Sequence, residues 1–193
     1  MLGVVLCGGQ SSRMGSDKGL LKLESITWAQ AAANKLGALS LPVLVSVNNN
    51  QFNDYNKLFP AHQLVTDTTL LQLKGPLLGV LSAHLHKTTE DLLILACDLP
   101  LMEISILNEL ISMYEQQQAE AYIFTNDNEP EPLCGIYTAR GLAQIVSLYN
   151  NDQLTRHSMK FILGHLSTYY KPMSDEQKKY FRNFNAHASL NGL

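Results

Sequence analysis

Short apolar runs alternate with longer segments of helical periodicity through most of this chain, and no other feature constrains the fold as strongly. The run at residues 92–97 is apolar throughout, as a strand buried on both faces of a parallel sheet should be. Gly75 and Pro76 mark the start of a helix that continues to His86, since proline favours the first helical turn. The alternation predicts a three-layer αβα, Rossmann-like domain with a mostly parallel central sheet.

The same patterns give bounds for the individual elements. Strands are predicted at residues 2–6, 43–47, 63–66, 92–97, 121–125, 133–137, 167–170 and 180–183. Helices are predicted at residues 27–36, 75–86, 104–118, 139–149 and 154–163, with a polar loop at residues 126–131. We expect the first four strands in the spatial order third, second, first, fourth, which would bring Cys7 and Cys97 close together.

Length and composition favour one globular domain over residues 1–193. A chain of 193 residues suits one full-sized domain and is short for two. The net charge of −3 argues against a nucleic-acid-binding surface, and the sequence holds no apolar run of about 18 residues that would predict a membrane span. Three widely spaced cysteines without CxxC spacing indicate reduced thiols, so we expect a cytoplasmic protein.

Residues 6–18 (LCGGQSSRMGSDK) form a glycine-rich loop after the first predicted strand. This is the strand end at which ligands of open α/β sheets bind. Gly8 and Gly9 allow close approach of the backbone, and neighbouring N–H groups can converge on an anion. Arg13 and Lys18 add two positive charges that suit a triphosphate. The spacing fits neither a Walker A loop nor a G-x-G-x-x-G fingerprint, and we interpret the loop as a nucleotide site.

Asp98 is the acidic candidate in this chain. It follows the apolar run at residues 92–97 and precedes a turn that contains Pro100. A carboxylate at the end of a central strand is well placed to bind a hard cation such as Mg²⁺. It could also cap the following turn, but its combination with the glycine-rich loop favours a metal ligand.

The loop resembles the LAGGxSxRMGxDK signature of molybdenum cofactor guanylyltransferases, with Cys7 in place of the usual alanine. Asp98 lies in CDLP, which is similar to the CD[ML]P motif of that family. Asp67 followed by GPLLG at residues 75–79 resembles its D…GPLxG element. The segment at residues 183–185 (NFN) resembles an NxN motif that precedes TPEDL in relatives, where this chain has AHASL.

The resemblance implies a nucleotidyltransferase that transfers GMP from GTP to molybdopterin, with Mg²⁺ as cofactor and pyrophosphate as the second product. It also implies that proteins that deliver the cofactor could be partners. The half of the chain to about residue 100 would bind the nucleotide, and the half from about 101 to 193 would face the acceptor, with residues 131–133 shaping that side.

The resemblance also implies a role for each candidate residue. Arg13, Lys18 and Asp98 would be catalytic, and Asp98 and Asn185 would bind the metal. Contacts to the nucleotide would come from Leu6, Gly8, Gly9, Lys18, Asp67, Gly75 and Asp98.

Three alternatives stay open at this point. A molybdopterin cytidylyltransferase would usually show LAAG in the loop and GDMP at the acid, and a sugar-phosphate nucleotidyltransferase would usually show a GxGTRM-type loop. The third alternative is a nucleotide-binding regulator without catalysis. Only the altered segment after Asn185 favours this last alternative.

Overall fold

A computed structural model describes residues 1–8, 17–23 and 25–184 of the chain. Its strands are β1 Leu2–Leu6, β2 Lys22–Leu23, β3 Ile26–Thr27, β4 Val43–Val47, β5 Leu64–Thr66, β6 Leu92–Ala96, β7 Ala121–Asn126, β8 Glu129–Tyr137 and β9 Thr168–Pro172. Its α-helices are α1 Trp28–Ala38, α2 Phe52–Tyr55, α3 Pro76–His86, α4 Ile104–Gln116, α5 Ala139–Asn150, α6 Met159–Leu163 and α7 Asp175–Lys178. Short 3₁₀ helices lie at Lys18–Leu20, Ala61–Gln63 and Lys179–Phe181.

Seven strands form one sheet in the order β5-β4-β1-β6-β8-β7-β9, while β2 and β3 pair separately. Strand β8 runs antiparallel to both of its neighbours, and the other pairs in the large sheet are parallel. The expected order of the first four strands, third-second-first-fourth, is therefore confirmed. The carboxyl ends of β5, β4, β1 and β6 consequently share one edge of the sheet.

Helices cover both faces of the large sheet, which confirms the αβα architecture. Alternate strand residues point to opposite faces, so that Val5 belongs to one core cluster and Val4 to the other. Helices α1 and α4 pack in the first cluster, and α3, α5 and α6 pack in the second. Strand β6 is buried along its whole length, as its unbroken apolar run predicted.

Three predictions about the second half of the chain were wrong. The polar loop at residues 126–131 is a β-hairpin, because Asp127 and Asn128 take positive φ angles of 49° and 67° in a two-residue turn between β7 and β8. The helix predicted from residue 154 begins only at Met159, where the Ser158 side chain accepts a hydrogen bond from Phe161 N. Residues 180–183 form no strand, since Lys179–Phe181 is a 3₁₀ helix.

Among the residues that the structure describes, no helix combines the length and apolar character needed to cross a bilayer.

Candidate functional site

A cleft of about 600 Å³ opens at the shared carboxyl edge of β1, β4 and β5. Leu6, Gly8, Asp67 and Gly75, which the sequence singled out as nucleotide contacts, all line it. The amino end of α3 forms one wall. We call this space the large cleft, and its size is that of an ordinary small-molecule site.

Gly75 takes a backbone conformation that only glycine adopts readily. Its φ of 74° and ψ of −162° lie where a Cβ atom would clash with the backbone. Pro76 follows as the first residue of α3. The exposed backbone at Gly75 therefore leads into a helix whose positive dipole end faces the large cleft.

A second, smaller cleft of about 220 Å³ adjoins the first and shares Leu6, Gly8 and Pro76 with it. We call it the small cleft. Lys18 and Asp98 line it, although they lie 80 residues apart in the sequence. Lys18 Nζ lies 3.2 Å from Asp98 Oδ2, and each side chain keeps about a quarter of its surface exposed, at 24% and 22%. The structure thus brings the two charged candidates together where a ligand could still reach both.

Cys7 and Cys97 also line the small cleft, and both side chains are buried. They follow β1 and β6, which pair in parallel, so that the two thiols interact as the predicted strand order implied. Burial, with a smaller contribution from Cys97, raises the pKa of the Cys7 thiol well above its usual range. Cys7 is therefore a protonated, weakly nucleophilic group in this site.

Asp67 is half-buried at the end of β5, where its N–H donates to Val47 O at 3.1 Å. Desolvation by burial raises the pKa of its carboxyl above the ordinary value of 3.8. A partly desolvated acceptor in the large cleft suits a ligand that brings N–H or O–H donors.

Two groups of residues in this region were missed by the sequence analysis. Asn48 lines the large cleft directly after β4. Gln51 and Tyr55, in and beside α2, hydrogen-bond to the Asp17 carboxylate. The rule that strand ends carry ligand contacts would have found Asn48, because a run of three asparagines follows the second predicted strand. No pattern in the sequence pairs residue 17 with α2.

Three predicted site residues, Gly9, Arg13 and Asn185, lie outside the described residues. The described chain ends at Phe184, whose N–H donates to the carbonyl oxygen of Asp98 at 3.2 Å. Across the described ranges, no three or more His, Cys, Asp or Glu side chains are grouped so that they could hold a metal ion.

An open, mostly parallel sheet with adjoining clefts at its carboxyl edge defines an α/β protein of the class that binds ligands at that edge. The model of a family described as the MobA-like NTP transferase domain matches residues 3–167. The chain therefore belongs to the MobA-like NTP transferase family.

Relatives with assigned names agree with this membership. The chain is 30% identical over 189 residues to a Flavobacterium johnsoniae protein named probable molybdenum cofactor guanylyltransferase, covering 98% of this chain and 94% of the relative. It is 28% identical over 186 residues to the molybdenum cofactor guanylyltransferase of Campylobacter jejuni subsp. doylei, covering 94% and 89%.

Solved structures support the fold. Molybdopterin-guanine dinucleotide biosynthesis protein A from Archaeoglobus fulgidus superposes with a TM-score of 0.78 at 20% identity, covering 99% of this chain and 95% of that one. A cytidylyltransferase from Leptospira borgpetersenii gives a TM-score of 0.59 at 15% identity, covering 89% and 76%. At these identities the likeness concerns the fold alone.

Proposed function

We propose that this chain transfers GMP from GTP to molybdopterin and releases pyrophosphate. The observation that carries the proposal is the Lys18–Asp98 pair in the small cleft, directly beside a large cleft that can accommodate a nucleoside. The family membership and the names of the relatives support the choice of GTP and molybdopterin.

In this proposal the large cleft binds the guanosine and the small cleft binds the triphosphate. Leu6 and Gly8, which line both clefts, would lie along the nucleotide where its two parts join. Asp67 and Gly75 would contact the base or the ribose. A half-buried carboxylate is a suitable acceptor for the donors of guanine or for a ribose hydroxyl. Gly9, together with Arg13 and Lys18, would complete the contacts to the phosphates.

The residues present fit a bound Mg²⁺. This ion is usually held by one or two carboxylates together with the phosphate oxygens of the substrate, and Asp98 supplies one partly exposed carboxylate. Asn185, next in sequence after Phe184, is proposed as a second ligand. When bound, the ion supplies positive charge against the negatively charged triphosphate.

The reaction needs no covalent intermediate on the protein. An oxygen of the terminal phosphate of molybdopterin forms a bond to the α-phosphorus of GTP, while the bond to the bridging oxygen of the β-phosphate breaks and pyrophosphate leaves. The chain holds the reactants in line and neutralises the charge that develops, which are the main sources of catalysis in phosphoryl transfer. Lys18 would act at the α-phosphate and Arg13 on the departing phosphates.

Thermal unfolding with each nucleotide and Mg²⁺ tests the choice of base. A ligand that binds only the folded state at a hundred times its Kd stabilises by about 2.7 kcal/mol, which raises Tm by on the order of 5–10 °C in a chain of this size. We expect GTP to give the largest shift, with CTP, ATP and UTP well below it. A larger shift with CTP would contradict guanine selection and favour cytidylyl transfer.

Asp67→Asn is expected to raise the stability of the ligand-free protein and to lower its affinity for GTP. Because burial raises the pKa of Asp67, the folded state penalises its ionised form, and this penalty is present at pH 7 and absent below the unfolded value of 3.8. We therefore expect the ligand-free variant to melt above the wild type at pH 7, by a margin that disappears towards pH 3.8. The Tm shift caused by GTP should decrease in the same variant. An unchanged GTP shift would show that Asp67 makes no contact with the nucleotide.

We further propose that residues 1–193 act as one unit, with the nucleotide bound mainly by the part to about residue 100. Leu133 of β8 lines the small cleft, which supports a contribution of the second part to the acceptor side. Action in the cytoplasm is proposed as well, and the three cysteines, which form no disulfide, support it. Proteins that deliver molybdopterin are proposed as partners, and nucleic acid is not.

A further inference from the structure

The side chain of Gln51 connects the two clefts without lining either of them. Its Nε2 group donates to Asp17 Oδ2 at 2.6 Å and to the carbonyl oxygen of Cys7 at 3.1 Å. Its Oε1 atom accepts the backbone N–H of Asn48 at 2.8 Å. One amide thus joins the end of β1, the end of β4 and the residue before Lys18.

The Asp17 carboxylate holds the end of the glycine-rich loop in place. Its Oδ1 atom accepts the hydroxyl of Tyr55 and the N–H of Gly19, each at 3.0 Å, so that Asp17 accepts three hydrogen bonds together with that from Gln51. Tyr55 is fully buried and gives this arrangement a rigid support. A Cβ atom on Gly19 would overlap the Tyr55 hydroxyl, which shows how tightly the loop end packs against α2.

On the other side of Gln51 the contacts lead to the large cleft. Asn48 Oδ1 accepts the N–H groups of Asn50 and Gln51, at 3.0 and 3.1 Å. With both lone pairs of that oxygen occupied, the amide NH₂ of Asn48 is the end that can donate to a ligand. The backbone N–H of Gln51 thus helps to orient the Asn48 side chain, while the Gln51 side chain, which also hydrogen-bonds to Asp17, accepts the backbone N–H of Asn48.

We infer that Gln51 is a positioning residue, which fixes the position of Lys18 relative to the nucleoside in the large cleft. The inference rests on the proposed function, since it assumes that the two clefts hold two parts of one nucleotide. The physical basis of the inference is the charge-assisted hydrogen bond of 2.6 Å from Gln51 Nε2 to Asp17 Oδ2, which fixes Asp17. Lys18 is the next residue in the chain, so its backbone is fixed with Asp17. A small displacement of a group at a reacting phosphate is costly, because the reacting atoms must remain aligned.

Two substitutions separate the donor contacts of the Gln51 side chain from its acceptor contact. Gln51→Glu keeps an oxygen that accepts the Asn48 N–H but replaces the NH₂ donor with an oxygen that repels the Asp17 carboxylate and the Cys7 carbonyl oxygen. Gln51→Met keeps a similar length and removes all three hydrogen bonds. We expect Gln51→Glu to lower kcat about 10- to 100-fold with less than about a threefold change in KM for GTP. Gln51→Met should lower kcat and also raise KM clearly, by about tenfold, because the backbone N–H of Asn48 beside the large cleft loses its acceptor.

A double substitution supplies a rescue that a merely structural role would not show. Asp17→Asn alone places an NH₂ group against the NH₂ group of Gln51 and should lower kcat. Asp17→Asn combined with Gln51→Glu restores the hydrogen bond between positions 17 and 51 in reversed order, while one oxygen at position 17 still accepts from Tyr55 and Gly19. The hydrogen bond to the Cys7 carbonyl oxygen stays broken, so the rescue is partial. We expect the double variant to recover about tenfold in kcat over Gln51→Glu alone.

Steady-state kinetics with GTP and molybdopterin, together with Tm for every variant, completes the test. Gln118→Glu is the matched control, because Gln118 is exposed just before β7, at the opposite edge of the sheet. An active wild type with unchanged kcat in Gln51→Glu would overturn the positioning role alone, and so would a loss in Gln51→Glu that the double variant does not relieve. A wild type that transfers no GMP would count against the proposed function itself.

Discussion

Asp98→Asn is expected to fold like the wild type and to lose Mg²⁺-dependent GMP transfer by at least about 10²–10³-fold in kcat. Asparagine keeps the shape of the side chain but removes the negative charge that a divalent cation needs. Folding should be nearly unaffected. The Lys18–Asp98 pair is partly exposed, and removing such a pair typically costs no more than about 1 kcal/mol.

Binding of GTP without Mg²⁺ provides a second test of Asp98→Asn, in which the expected effect has the opposite sign. In the absence of the cation, the Asp98 carboxylate repels the triphosphate that the small cleft is proposed to hold. Its neutralisation should therefore leave the Tm shift with GTP alone unchanged or larger, while the additional shift caused by Mg²⁺ disappears. Isothermal titration of Mg²⁺ into the complex with GTP measures the lost site directly.

Asp152→Asn is the matched control for Asp98→Asn. Asp152 is exposed after α5, with a φ of 56° that asparagine also adopts, so the same charge is removed without strain. Its kcat should equal that of the wild type. Near-normal turnover in Asp98→Asn would instead show that Asp98 only supports the turn after β6 and the Lys18 side chain.

Strands β1, β4 and β6 could be predicted from the sequence because burial on both faces leaves runs of mostly apolar residues. Strands β1 and β4 have the predicted bounds, and β6 ends one residue early. The hairpin of β7 and β8 was missed for a physical reason. Its turn consists of Asp127 and Asn128, and the following residues are polar or proline, so that only the positive φ angles of the turn distinguish a hairpin from a loop.

Residues of the site could be predicted where their position follows from the strand that precedes them. Asp98 closely follows β6, and Lys18 ends the loop that follows β1, so the two could be assigned to one site because β1 and β6 pair in parallel. The contacts of Gln51 could not, since α2 has only four residues and shows no helical period. Its hydrogen bonds to Asp17 and Cys7 depend on how a loop folds over the sheet edge, and this is decided by packing.

Lys18→Ala is expected to act on the chemical step. Lys18 lies between Asp17 and Gly19, which hydrogen-bond to each other, and its Nζ lies 3.2 Å from Asp98 Oδ2, so its position is set before any ligand binds. A preorganised cation that stabilises charge developing in the transition state contributes about 10²–10³ in rate. We therefore expect kcat to decrease by about that factor with only a modest change in KM for GTP. Lys22→Ala, an exposed lysine in β2, is the control and should retain full activity.

Arg13→Ala should give a different kinetic pattern, and the contrast tests both assignments. The proposed partners of Arg13 are the outgoing phosphates, which are charged before and after the reaction. An interaction present throughout lowers KM, whereas one that strengthens in the transition state raises kcat. Arg13→Ala should therefore raise KM for GTP as well as slow turnover, measured with GTP varied at saturating molybdopterin and Mg²⁺. If Lys18→Ala changed only KM, Lys18 would be a ground-state phosphate contact, and the charge that develops at the α-phosphate would have to be stabilised by another group.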